Sequence, residues 1–215
     1  MARRTASGNT PRVRSGNTGR HRRWLLVGVQ AARGTTSHFN IDSTLDAQIF
    51  STMGVGIATV WVASMYVLWR HLRTPAVDRA MATAFRVGLA LNILASGVGW
   101  RMTQPAPGQI EAIKRGERPR IVGAHSVGGT DGGPGMPLTK WSAGHGDLRV
   151  PHFVGMHALQ LLPLLLLGMR AVRRVSDDRV ERVMMYAVAS VNAAAFVAVL
   201  AQALLGVPLL PPPRS

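Results

Sequence analysis

Four long apolar blocks interrupt an otherwise polar chain. Positions 47–69 run 23 residues without a charge, 80–100 run 21 with Arg86 alone, 150–169 run 20 with no charge beyond histidine, and 183–207 run 25 with none. Each suffices to carry a helix, rising about 1.5 Å per residue, across roughly 30 Å of hydrocarbon. The pattern predicts an all-α fold: a polytopic transmembrane helical bundle of four spans at about 47–69, 80–100, 150–169 and 183–207. A Gly-rich extracytoplasmic loop, 101–149, separates the second span from the third. Two polar regions, 1–46 and 101–149, dilute the apolar blocks and explain a mean hydropathy of only +0.14.

The ends divide by composition. Residues 1–23 form a basic tail rich in Gly, Ser, Thr and Arg, which reads as disordered. Residues 24–46 hold a short apolar stub at 24–32 and an outer linker. The stub is too short for an ordinary span, so it reads as a signal-like segment, the remnant of a fifth span, or an interfacial piece. The transmembrane domain covers 47–207, and 208–215 is a Pro-rich tail.

Charge sets the expected orientation. The connection 70–79 carries Arg70, Arg73 and Arg79, and the connection 170–182 carries Arg170, Arg173, Arg174, Arg179 and Arg182. Basic residues in short loops stay on the cytoplasmic side, so both connections are expected there and the loop 101–149 outside. The tail runs against this scheme, because Arg3, Arg4, Arg12, Arg14, Arg20, Arg22 and Arg23 precede a span that starts outside.

A net charge of +15 changes the picture less than it first suggests. Of the 25 basic residues, 23 are arginines, and many border the spans, where they orient helices against lipid rather than grip a phosphate backbone. The expected partner is therefore the lipid bilayer, and nucleic acid is not expected. The chain has no cysteine, which removes disulfides, thiolate metal sites and cysteine nucleophiles.

Polar residues inside the spans invite interpretation. Arg86 sits about two turns from the cytoplasmic end of its span, within snorkelling reach of the interface. Asn92, Ser96, Asn192 and Gln202 suit interhelical hydrogen bonds, and Gly54 and Gly56 suit close helix approach. In the third span Pro151 fits a first helical turn, while Pro163 lies in the interior and interrupts the hydrogen-bond ladder. His157 and Gln160 are three apart and share a face, which predicts a packed or hydrated interior stripe. His152 and His157 lie about 140° apart round a helix, so they cannot clamp one iron. The spacing thus argues against a buried bis-histidine haem.

The outer loop concentrates the remaining candidates. His125, Asp131, His145, Asp147, Arg149 and His152 fall on a glycine-rich loop and the start of the third span, with His157 and Gln160 beyond. His125, His145 and His152 could ligate a divalent metal such as zinc with a position left for water. The same residues also suit an ordered lid, in which Asp131 accepts backbone N–H groups within "GGTDGGPG", Asp147 caps the third helix and Arg149 pairs with it. No phosphate-binding G-K-[ST] ending, no G-x-S-x-G and no H-E-x-x-H occurs.

The segments "FNIDSTLDAQIFSTMG" (39–54), "GAHSVGGTDGGPGMP" (123–137) and "WSAGHGDLRVPHFVGMHALQLLPLL" (141–165) resemble a family of uncharacterised bacterial integral membrane proteins. The resemblance spans some 130 residues and implies the bacterial cytoplasmic (inner) membrane, with no activity or cofactor attached to it. Family members begin with a complete hydrophobic helix before "FNID"; here 24–32 stands in that place.

These readings converge on a membrane protein whose outer-loop group binds a small ligand, an ion or a partner. Two others compete with it. One is a membrane-embedded metal-dependent enzyme or redox protein using His125, His145 and His152, with Asp131 or Asp147 as base or outer-shell partner. The other is a proton-linked transporter that runs through Arg86, His157 and Gln160.

Overall fold

The computed structural model describes residues 28, 31–34, 39–172 and 177–210, and the chain divides into two units, 1–38 and 39–215. The basic tail at 1–23, most of the stub at 24–32 and the last five residues of the Pro-rich tail lie outside the described residues.

In the second unit the order is α1 (Thr44–Arg73), α2 (Arg79–Met102), α3 (Pro107–Lys114), β1 (Ser126–Val127), β2 (Gly146–Asp147), α4 (Arg149–Val172) and α5 (Asp178–Leu204). Four of these, α1, α2, α4 and α5, are long and apolar enough to cross a membrane. The chain is a multi-pass helical membrane protein.

The helices overrun their apolar blocks because caps, not hydropathy, set their ends. Helix α1 starts at Thr44, three residues before its apolar block. Ser43 Oγ accepts from Asp46 N (3.2 Å) and donates to Asp46 Oδ2 (2.6 Å), satisfying an orphan N–H and placing a carboxylate at the positive end of the helix dipole. Asp78 Oδ1 accepts from Met81 N at the start of α2, and Asp177 Oδ1 accepts from Arg179 N at the start of α5. Helix α5 therefore begins at Asp178 rather than 183. It stops at Leu204 rather than 207, where Gly206 adopts φ +76° and bonds back to Ala203 O.

Helices α2, α4 and α5 build the core. Toward the lid end, Leu91, Ala95, Val98, Ala158 and Phe196 cluster; toward the other end, Ala80, Ala84, Leu162, Leu166 and Met185 do. The approach is close because small residues face each other. A Cβ on Gly88 would fall 2.8 Å from Ala158 O, and one on Gly155 would fall 2.6 Å from the Cβ of Ala95. Lipid tails give helices no hydrophobic reason to associate, so this backbone proximity supplies the packing. The glycines expected to serve this purpose, Gly54 and Gly56, do not: a Cβ on either meets nothing within 4 Å. Helix α1 buries only Asp46 and Ile49 along its length, and leans on α2 through Trp61 Nε1, which donates to Ile93 O (2.9 Å).

At the end opposite the lid, one arginine ties three helices. Arg170 of α4 donates to both oxygens of Asp78, the cap of α2 (2.7 and 3.1 Å), and to Glu181 of α5 (2.6 to 3.1 Å). Glu181 is buried. Its charge is acceptable there because the guanidinium fork satisfies it.

At the lid end the chain folds back over the helices. Residues 39–41 pair with 120–122 through Ile41 N to Arg120 O and Val122 N to Phe39 O. Gln109 of α3 holds Gly123 at both its N–H and its carbonyl (2.9 and 3.1 Å). Gly123 has φ +117°, and a Cβ there would fall 2.6 Å from Met102 O, so only glycine fits. Strands β1 and β2 pair antiparallel, Ser126 opposite Asp147 and Val127 opposite Gly146. Gly146 presses on the carbonyl of Ala203, which seats the ladder on the end of α5.

Candidate functional site

The lid is organised round one carboxylate. Asp147 is the last residue of β2, opposite Ser126, and lies two residues before Arg149 at the start of α4, so it is held by a strand and a helix start together. Its Oδ1 accepts from Arg149 N (2.9 Å) and its Oδ2 from Ser142 N (2.7 Å). Arg149 adds Nε (3.0 and 3.2 Å) and Nη2 (2.6 Å), then donates the same Nη2 to Lys140 O (2.6 Å). The Asp147 side chain is only 1% exposed. Burial pushes its carboxyl up, but the Arg149 guanidinium and the N–H groups of Ser142 and Arg149 outweigh burial and hold it below the usual carboxylate range.

Asp131 is the second anchor. It accepts from His125 N (3.1 Å) and Ser126 N (2.8 Å), which folds the glycine-rich turn back onto β1. The His125 ring lies between the two carboxylates, with Nδ1 3.2 Å from Asp131 Oδ1 and 4.0 Å from Asp147 Oδ1. That nitrogen is enclosed and within ion-pairing range, yet not aligned for a hydrogen bond. His125, Asp131, Asp147 and Arg149 thus form one contiguous polar group at the lid.

The other expected members stand apart. His145 packs its ring against Gly129, where a side chain would collide, and its backbone N–H bonds to Ser142 Oγ (3.0 Å). His152 turns into the bundle, with Nδ1 2.7 Å from Ala95 O of α2 and its ring on Gly99. The imidazoles of His125, His145 and His152 do not converge, and no group of three or more His, Asp or Glu side chains among the described residues is arranged to hold a metal ion. The expectation of a three-histidine metal site is corrected by that turn of His152: its ring spends itself on a helix carbonyl.

The polar stripe on α4 is also reassigned. His157 and Gln160 are exposed on the bundle surface, not enclosed in it. His157 Nδ1 lies 2.9 Å from Phe153 O and its ring sits 4.1 Å from that of Phe153. The Gln160 amide, with its nitrogen assigned by hydrogen bonding, donates to Met156 O (3.0 Å) and His157 O (3.2 Å). Both polar groups are satisfied by their own helix, which leaves Gly155, Ala158, Leu162 and Leu166 to face the core. Arg86, at the other end, donates to His71 O (2.7 Å) and Thr74 O (3.1 Å) where α1 stops. Among the described residues, no hydrogen bond or ion pair joins Arg86 to His157 or Gln160.

Among the span amides, Asn92 makes the expected interhelical bond, Nδ2 to Met156 O (3.1 Å). Ser96 Oγ lies within hydrogen-bonding reach of both Asn92 O of its own helix (2.9 Å) and Met156 Sδ of α4 (3.5 Å), and Gln202 closes the end of α5 by donating to Pro208 O (2.7 Å). The carbonyl oxygen of Asn192 is buried without a partner. Two participants carried no sequence signal, the Ala95 and Lys140 carbonyls, because every residue has one. The Ser142 amide and the Arg170 clamp were equally silent. The chain matches no model of a known protein family, no curated protein and no solved structure.

Proposed function

We propose that this is a multi-pass protein of the bacterial cytoplasmic membrane, with its lid on the outer side, and that the lid binds a small polar ligand or ion at the His125–Asp131 edge. The resemblance of three segments to bacterial membrane proteins and the basic connections at 70–79 and 170–182 support the setting and orientation. One observation carries the binding reading: an enclosed imidazole nitrogen stands 3.2 and 4.0 Å from two carboxylates without a hydrogen bond to either. A buried polar atom left unsatisfied costs free energy, and a bound cationic or hydrogen-bonding group beside it recovers that cost. Asp147 and Arg149 form the fixed wall of this edge; His125 and Asp131, each partly exposed, form its receptive side.

Thermal unfolding of the detergent-purified chain tests the reading against a panel of inorganic cations and small amines. At least one is expected to raise the unfolding temperature of the wild type and to leave His125→Ala and Asp131→Asn unshifted. If no panel member distinguishes the wild type from either variant, the lid is a structural cover and the reading fails.

A further inference from the structure

A second charged feature lies at the end of the bundle opposite the lid. The ends of α1, α2 and α5 border an open cavity of about 550 Å³, lined by Arg73, Arg79, Arg86 and Arg182 together with Thr83 and Tyr186. Among the described residues, no aspartate or glutamate lines it. The two carboxylates nearest in sequence, Asp78 and Glu181, are both spent on Arg170. None of the four lining arginines is ion-paired among the described residues: Arg86 reaches two helix-end carbonyls, Arg73 lies 5.7 Å over the Trp69 ring, and Arg79 and Arg182 pair with no carboxylate. The Nε of Arg86 is buried and has no hydrogen-bond partner.

We propose that this cavity binds a phosphate-bearing anion, most directly the headgroup of an acidic phospholipid. Guanidinium groups are donors only, in a planar fork that matches phosphate oxygens, so four of them without a carboxylate define a site whose missing component is an acceptor with negative charge. The volume suits a headgroup phosphate with its first polar substituent, since ligand cavities of roughly 300 Å³ and above enclose small molecules. Position selects lipid. The cavity is lined by residues at the ends of three spans, and basic pockets between spans hold anionic headgroups. Arg86 is part of the wall, and its Nη2 is pinned by His71 O and Thr74 O, which fixes the guanidinium in place. Arg79 and Arg182, on α2 and α5, line the same cavity.

The test compares the full chain with an Arg79→Gln/Arg182→Gln variant, which leaves Arg86 and the Arg170 clamp in place. Both are purified in detergent and offered equal amounts of phosphatidylglycerol and phosphatidylcholine, and retained lipid is counted by native mass spectrometry. The wild type is expected to retain phosphatidylglycerol preferentially, and the variant to lose that preference by roughly tenfold or more. An Arg101→Gln/Arg118→Gln variant, with the same charge change at the lid end, is expected to keep it. A parallel arm adds soluble pyrophosphate. Displacement of the lipid by pyrophosphate locates the recognition in the phosphate, and stabilisation by pyrophosphate without lipid preference assigns the site to a soluble phosphate compound. Both outcomes support a phosphate site. The proposal is overturned if neither probe distinguishes the wild type from Arg79→Gln/Arg182→Gln, or if the lid-end variant loses the preference equally. Unfolding temperatures measured without lipid check that all three chains are folded.

Discussion

Arg149 places its Nη2 2.6 Å from Oδ2 of Asp147, and the pair is lopsided: the carboxylate is 1% exposed and the guanidinium 30%. The acid is sealed while its partner still touches solvent. Removing the acid therefore strips the lid of the acceptor that holds Ser142 N, Arg149 N and the guanidinium at once. Asp147→Asn is expected to destabilise the fold by on the order of 3 kcal/mol, read as a lower unfolding temperature in detergent. Asp131→Asn, whose one remaining acceptor oxygen can still serve one of the two backbone N–H groups and whose site is partly exposed, should cost less, about 1 kcal/mol. Equal losses would mean that Asp147 has no special place in the lid.

The same pair predicts a pH dependence. The folded protein holds the Asp147 carboxyl below its ordinary value, so its contribution to stability is present above the unfolded value of about 3.9 and is lost as pH falls through the lower folded value. The stability difference between wild type and Asp147→Asn should accordingly shrink as pH drops below about 4. A difference that stays constant from pH 7 to strongly acidic conditions contradicts the ion-pair account.

Arg170 is expected to be hard to replace even by lysine. One guanidinium meets Asp78 and Glu181 together, and an ammonium presents no fork with which to do so. Arg170→Lys and Arg170→Gln should both lower the unfolding temperature, by an amount on the order of 2 kcal/mol for the glutamine variant, with lysine recovering less than half. Recovery to wild-type stability by lysine would show that charge alone suffices.

Glycine substitutions separate the helix contacts. A methyl group at Gly155 would fall 2.6 Å from the Ala95 Cβ and 2.9 Å from the Phe196 ring, so Gly155→Ala should cost about 1 to 3 kcal/mol. Gly54→Ala meets open space and should be neutral or slightly stabilising, as alanine is the better helix former by about 1 kcal/mol. Unfolding in mixed detergent micelles orders the two variants.

Two histidines on α4, five residues apart, should respond oppositely. His152→Leu breaks a 2.7 Å bridge to Ala95 O and is expected to lose about 1 kcal/mol. His157→Leu replaces an exposed ring bonded to its own helix and should leave stability unchanged or raise it. If His157→Leu is the more damaging, His157 faces something other than lipid.

Much of the fold was legible because crossing a bilayer is a demand on composition and length, and composition is local. The runs at 47–69, 80–100, 150–169 and 183–207 announce α1, α2, α4 and α5 for that reason, and the i to i+2 neighbours Asp147 and Arg149 announce their own pairing. The helix ends were readable only in part: Ser43 and Asp46 form a cap between residues three apart, but it is polar and leaves no mark in the apolar runs.

What remained hidden was which face of each helix turns inward. A helix bathed in lipid is apolar on all sides, so the hydrophobic stripe that marks the buried face of a water-soluble helix is missing. Gly54 and Gly88 look alike in the sequence, yet only Gly88 meets another backbone; His152 and His157 look alike, yet only His152 meets another helix. Arg170 and Asp78, 92 residues apart, carry no mark of each other. Local chemistry dictates the four spans among the described residues and roughly where they end. The mutual fit of their surfaces dictates which small residues touch, which charges meet and which imidazole is left facing the carboxylates of the lid.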